Sequence, residues 1–345
     1  MPQPSGNDSP AQTHADAEVI VTVEPLEDHK DTRPPLWTLP VLIVAVLAVS
    51  SAASAFKVLS DVPPVTMAAW RLQLTGLLLM PGAIIQYWQL SPELKQRTHR
   101  SGMLMLLSGG ALALHFCFWV EGIENTSITH ALFFSSVTPI IIAGGMWALG
   151  HAISHGEIAG TCLGFFGGIL LAGGGAQEGQ VTVLGDLSCV MASVFVIVYL
   201  FVGRKLRSWM PLFVYAHVVT ALGGGILCVA AVMGGASITA PGIAGVAGWM
   251  QSHHAPVVIY LGVVPGILGH TGLNTLLKYL HPLLLTLSLT LEPLIGSVIG
   301  WMLGLAQPPG VYTWVGGAIL LASTVMVVIF GHRREQSERL RGLQG

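Results

Sequence analysis

The sequence predicts an all-α polytopic membrane protein, with ten transmembrane helices arranged as two inverted five-helix repeats. Three observations carry that prediction. Only 9% of the 345 residues are charged and mean hydropathy is +0.70, whereas a soluble domain carries about 25% charged residues. The apolar residues gather into segments close to the roughly 20 residues that a helix needs to cross hydrocarbon. A stretch late in the first half of the chain also returns late in the second.

In order, the predicted spans are 38–59, 64–88, 102–123, 128–150, 157–176, 184–204, 211–234, 256–279, 283–305 and 310–331. Their continuous apolarity, without a period of two, favours helices over a lipid-facing barrel. Lipid offers no partner for backbone N–H and C=O groups, so each segment closes its own hydrogen bonds as a helix. The joint between spans 3 and 4, Glu121 to Ser127, is a very short loop and the weakest of these assignments.

Charge sets the orientation. With the N-terminus in the cytoplasm, all of the fifteen Lys and Arg except Lys57 and Arg71 fall on the cytoplasmic side. Lys30 and Arg33 precede span 1; Lys95, Arg97 and Arg100 follow span 2; Arg204, Lys205 and Arg207 follow span 6. Lys278 ends span 8, and Arg333, Arg334, Arg339 and Arg341 follow span 10. An even number of spans returns the C-terminus to the cytoplasm.

Residues 1–35 are polar and acid-rich, with no basic stretch leading into an apolar core, and predict a disordered cytoplasmic tail rather than a cleaved leader. Residues 332–345 predict a short basic tail resting on anionic headgroups. Cys117, Cys162, Cys189 and Cys228 all fall inside spans without a CxxC, so neither a disulfide framework nor a zinc site is expected.

The internal repeat aligns 139–156 with 293–310 without a gap. Pro139 matches Pro293, Trp147 matches Trp301, Leu149 matches Leu303, Gly150 matches Gly304, Ala152 matches Ala306 and Gly156 matches Gly310. The offset equates span 4 with span 9 and span 5 with span 10, dividing the chain into 36–177 and 183–331. Five spans per unit is odd, so the second unit enters from the opposite side. That arrangement belongs to alternating-access carriers, with cargo bound near the midplane between the halves.

Ionisable groups inside spans are costly and should face a cavity or one another. Arg71 falls about eight residues into span 2, roughly 12 Å from the outer face. Its planar fork suits a substrate carboxylate or phosphate, or else pairs with Glu292 or freed carbonyls. Glu292 lies about ten residues into span 9, before Pro293, and reads either as a proton- or cation-binding carboxylate or as the cap of a Pro-broken helix. Lys57 can snorkel outward. In span 3, His115 and Trp119 share a face, and Tyr199 in span 6 is a comparable aromatic; each covers a planar or cationic substrate or packs. In span 8, His270, Asn274 and Lys278 form one stripe, a polar path from the middle to the cytoplasm or a set of interhelical bonds. Glu121 and Glu124 sit near the outer loop.

Gly156, Gly160, Gly164 and Gly168 recur at every fourth residue of span 5, a small-residue stripe for close helix packing within the fold rather than for dimerisation. Gly223, Gly224 and Gly225 either loosen span 7 or let it pack closely. Among thirteen histidines, His253–His254 and His151 with His155 lie in loops without an accompanying carboxylate or Cys cluster, so no metal and no cofactor is expected.

Several short motifs follow one another along the chain: Ser54–Ala55–Phe56–Lys57, Pro63–Pro64, Ala68–Ala69–Trp70–Arg71, Asn125–Thr126–Ser127 with Ala131 and Pro139, Leu184–Gly185–Asp186–Leu187, Gly203–Arg204–Lys205 and Leu291–Glu292–Pro293. Together they resemble the drug/metabolite transporter superfamily, specifically its ten-span EamA-like branch. Their order and spacing cover about 36–331. The Gly-Glu pair usual after spans 4 and 9 is Gly150–His151 and Gly304–Leu305 here, so no role of those carboxylates carries over. The resemblance implies export or exchange of small organic molecules through a central cavity.

The expected function is therefore a secondary transporter of small organic metabolites, without ATP hydrolysis, since no phosphate-cradling Gly-Lys-Ser/Thr loop is present. A channel or a non-transporting scaffold of the same fold is the alternative. An intramembrane enzyme would need two catalytic groups meeting in a cavity, and only one acid sits deep. The expected partners are the lipid bilayer and a small-molecule substrate. No nucleic acid is expected, a homodimer is left open, and the plasma membrane is the expected site.

Overall fold

The computed structural model describes residues 35–150, 153–173, 181–251, 253–276, 279–280, 288–289 and 291–342. The predicted N-terminal tail, Lys278 and His151 lie outside the described residues. The helices are α1 (Thr38–Ser50), α2 (Ala52–Lys57), α3 (Pro64–Trp88), α4 (Pro92–Arg100), α5 (Gly102–Asn125), α6 (Ile128–Ser135), α7 (Thr138–Ala148) and α8 (His155–Gly173). Then come α9 (Val183–Arg207), α10 (Leu212–Met233), α11 (Ala255–Leu261), a π-helical segment (Gly262–Thr271), α12 (Gly272–Leu276), α13 (Glu292–Met302) and α14 (Val311–Gly342). Among the described residues there is no strand beyond one isolated bridge, Ser237 to Gly245.

Among the described residues, eight helical stretches are long and apolar enough to cross a membrane: α1 with α2, α3, α5, α6 with α7, α9, α10, α11 through α12, and α14 as far as Arg334. The two remaining predicted spans correspond to α8, of 19 residues, and α13, of 11. At about 1.5 Å per residue α13 alone is too short to cross, and much of the predicted start of span 9 lies outside the described residues.

Several spans are broken, each where a side chain or a proline disturbs the backbone ladder. Ser50 and Ser51 return their hydroxyls to Val46 O and Ala48 O, each at 2.7 Å, where α1 gives way to α2; such back-bonding bends helices. Ser135 and Ser136 do the same before Pro139, between α6 and α7. Pro265, which lacks an N–H, sits within the π segment. Glu292 opens α13, in keeping with the Pro-broken helix that is one of its two readings, with Pro293 at the second position, where a missing N–H costs nothing.

The sequence repeat is also a repeat of local structure. α7 and α13 are both 11 residues long, and each has its proline at the second position. Leu149 and Leu303 cap their ends. Gly150 and Gly304 follow at φ +78° and +69°, a left-handed conformation that glycine adopts freely. Their amides donate to Trp147 O at 2.9 Å and Trp301 O at 3.0 Å.

Three long pairings organise the described helices: α3 with α10, α5 with α9, and α8 with α14. Small residues permit them. A Cβ on Gly160 would come within 2.8 Å of Val327, and one on Gly167 within 2.8 Å of the Leu320 amide. Gly156 faces the Phe330 ring and Gly164 faces Ser323, so the span 5 stripe packs within the fold; Gly168 turns instead toward Phe134. Gly223 and Gly224 lie against Leu72, with Gly223 also against Gly109 O, so these two glycines serve close packing.

Two charged regions are more ordered than the sequence suggests. Pro92–Arg100, which carries the basic residues after span 2, is helix α4, with Ser91 capping its start, Glu93 in its first turn and Arg97, His99 and Arg100 in its last, the order its dipole favours. The C-terminal residues from 332 continue α14 to Gly342. There Arg334 Nε donates to Glu157 Oε2 at 3.0 Å, and both side chains are largely buried. Ser154 N and Oγ donate to the same oxygen, at 2.8 and 2.9 Å, completing a capping box at the start of α8.

Candidate functional site

The largest buried cluster joins α2, α3, α5, α9 and α10, and a cavity opens within it. Its walls are Arg71, Leu72 and Thr75 from α3, Leu112 and Phe116 from α5, Tyr199 from α9, and Ala216 and Thr220 from α10. Gly266, His270 and Thr271 of the π segment and Asn274 of α12 complete it. Among the described residues, no lining residue comes from α8 or α14. The volume is about 30 Å³, room for one or two waters and far below the several hundred Å³ of a small-molecule pocket.

Arg71 is 1% exposed. Its guanidinium carbon lies 4.4 Å from the centre of the Phe116 ring, 5.6 Å from Phe56 and 6.0 Å from Trp119. Buried NH1 makes no hydrogen bond. Three aromatic faces thus surround a cation that keeps an unused donor. Thr75, one turn on, bonds back to Arg71 O at 2.9 Å and leaves its side chain at the cavity wall.

Opposite Arg71, Asn274 Nδ2 donates to Tyr199 Oη at 3.0 Å. Tyr199 stacks on Tyr215, with ring centres 6.4 Å apart, and Tyr215 Oη meets Ser108 Oγ at 2.9 Å. His270 tilts against Phe116 at 5.8 Å. His270 and Thr271 end the π segment, and Asn274 follows one turn on in α12.

Four predicted site residues, Arg71, Tyr199, His270 and Asn274, line the cavity. Two others stand behind its wall. His115 Nδ1 meets Ala192 O at 2.9 Å, and its ring stacks on Trp119 at 6.5 Å and 17°. Trp119 packs edge-on to Phe56 at 5.6 Å and is 6% exposed. Glu292 is outside the lining. It opens α13 and makes no ion pair with Arg71 within 4.0 Å. Lys57 ends α2, in the field of Glu124.

Phe116 was missed, although it belongs to the same face as Leu112, His115 and Trp119 at spacings of three and four. The buried contact of Asp186 was missed too. Thr126 Oγ1 donates to Asp186 Oδ1 at 2.7 Å, and His130 Nδ1 lies 3.3 Å from both Asp186 oxygens. Thr182 Oγ1 donates to Asn125 O at 2.7 Å. The Asn125–Thr126–Ser127 and Leu184–Gly185–Asp186–Leu187 motifs therefore meet each other, and Gly185 is the residue that lets the backbones touch. The expectation that no carboxylate accompanies His253–His254 is overturned: Asp61 reaches His254 Nε2 at 3.0 Å.

Comparison with known proteins agrees with this architecture. The model of the EamA-like transporter family matches residues 36–173. No curated protein matches the sequence. Among solved structures, one titled only as the crystal structure of a protein superposes with a TM-score of 0.58 at 18% identity, over 88% of this chain and 100% of that one. At that identity the likeness concerns the fold.

Proposed function

We propose that this chain, an integral multi-pass membrane protein assigned to the EamA-like transporters by residues 36–173, is a secondary carrier that exports or exchanges small organic metabolites by alternating access. The observation that carries this reading is Arg71: a buried cation with an unbonded donor, at the wall of a cavity built from both halves of the chain. A charge so placed costs on the order of 3 kcal/mol on insertion scales. A cargo carboxylate or phosphate offsets that cost when it binds. The cavity of about 30 Å³ admits no metabolite until it widens, as a site that opens to one side at a time would.

The inverted repeat is supported by the pattern of pairing. Under the exchange of each span with its counterpart five spans on, α3 with α10 and α8 with α14 map onto themselves. The packing of α5 on α9 maps onto that of the π segment on α1. Ten crossings with both termini in the cytoplasm fit this scheme and the charge distribution, with the plasma membrane as the site. Labelling by an impermeant thiol reagent tests the orientation: a cysteine at His253 should react from outside, and cysteines at Lys95 and Lys205 should not.

The class of activity is tested by flux into proteoliposomes loaded with a metabolite pool. Saturable exchange supports a carrier. Flow that never saturates indicates a channel, and no flow a scaffold; either result overturns the proposal. Catalysis forms no part of the proposal.

A further inference from the structure

Away from the cavity, three side chains that the carrier reading does not use converge from two separate connections. Asp61 belongs to the link between α2 and α3, while His253 and His254 belong to the turn before α11. One ligating atom from each lies within 4.8 Å of the others. His254 Nε2 is 3.0 Å from both Asp61 oxygens. The turn throws the two consecutive imidazoles to the same side, with ring centres 3.9 Å apart at 38°. His254 is held in place: it is 4% exposed and its ring lies 5.9 Å from Trp70. Asp61 and His253 are exposed.

We propose that Asp61, His253 and His254 form a divalent-cation site of the zinc class, which clamps the α2–α3 connection to the start of α11. The donor set decides the class. Two imidazoles and one carboxylate suit zinc and its first-row neighbours, whereas magnesium and calcium want oxygen throughout. Three protein ligands leave a fourth position to water. An ion about 2 Å from each ligand spans donors up to about 4 Å apart, so side-chain rotation of about 1 Å closes the set. The clamp joins a connection of the first half to one of the second. Its consequence for transport therefore rests on the alternating-access reading: a bound ion holds this face closed.

The test is zinc titration of the untagged, full-length protein in detergent, by equilibrium dialysis and by thermal unfolding. One zinc per chain should bind, with a raised unfolding midpoint. Asp61→Asn and His253→Gln should each weaken binding at least tenfold and abolish the rise. Both alter exposed side chains, so they avoid the folding risk of replacing His254, and a third variant, His99→Gln, should behave as wild type. Absent binding, or binding that both variants retain, overturns the site. In proteoliposomes, zinc should slow wild-type exchange and leave Asp61→Asn exchange unaffected; bound zinc with unaltered exchange overturns the clamp. Dialysis needs no flux, so a failed carrier reading and a failed metal site give different results.

Discussion

Arg71 stands over the face of Phe116, with its guanidinium carbon 4.4 Å from the ring centre. Both residues are almost fully buried. A desolvated cation–π contact is worth about 2 kcal/mol, comparable with the cost of holding the charge in the membrane. The ring therefore makes the cation tolerable without consuming its hydrogen-bond donors.

Coupling between the two follows. Phe116→Leu should lower the stability of the detergent-solubilised protein by roughly 2 kcal/mol, and the loss should shrink by at least half in an Arg71→Met background. Strictly additive losses in this double-mutant cycle would mean that the ring fills space and no more.

Glu292 opens α13 and is not ion-paired with Arg71. Glu292→Gln removes the charge while keeping the shape and a hydrogen-bonding group. We expect exchange to lose its dependence on pH while expression stays normal. Normal flux with an unchanged pH profile would assign Glu292 to helix capping alone.

The equivalence of α7 and α13 predicts matched costs at their ends. Gly150 and Gly304 have positive φ, and nothing stands within 4 Å of where a Cβ would be, so substitution meets backbone strain alone. Gly150→Ala and Gly304→Ala should each destabilise by about 1 kcal/mol, measured by thermal unfolding. A large effect at one glycine and none at the other would break the equivalence.

Much of this architecture is legible in the sequence because bilayer thickness and the cost of charge in lipid act on composition alone. The eight membrane-crossing stretches, the span 5 glycine stripe and Arg71 all follow from such arguments. The breaks at Ser51 and Ser136 were not legible, because serine hydroxyls bend a helix only where tertiary packing lets them. The π segment, which ends on His270 and Thr271, is equally silent. Asp61 and His254 lie nearly two hundred positions apart, and only the fold brings them together. His115 and Trp119 read as cavity residues because helical spacing fixes a shared face, not which helix covers that face.

Saturable counterflow in proteoliposomes, compared between wild type and Arg71→Lys, tests the central claim most directly. Lysine keeps the charge but loses the planar fork that engages a carboxylate or phosphate in two places. The account predicts saturable exchange by the wild type, and at least a tenfold loss of kcat/KM in an Arg71→Lys protein that unfolds at the wild-type temperature. Undiminished exchange by that variant would contradict it, and the cargo would then bind elsewhere than at this cavity.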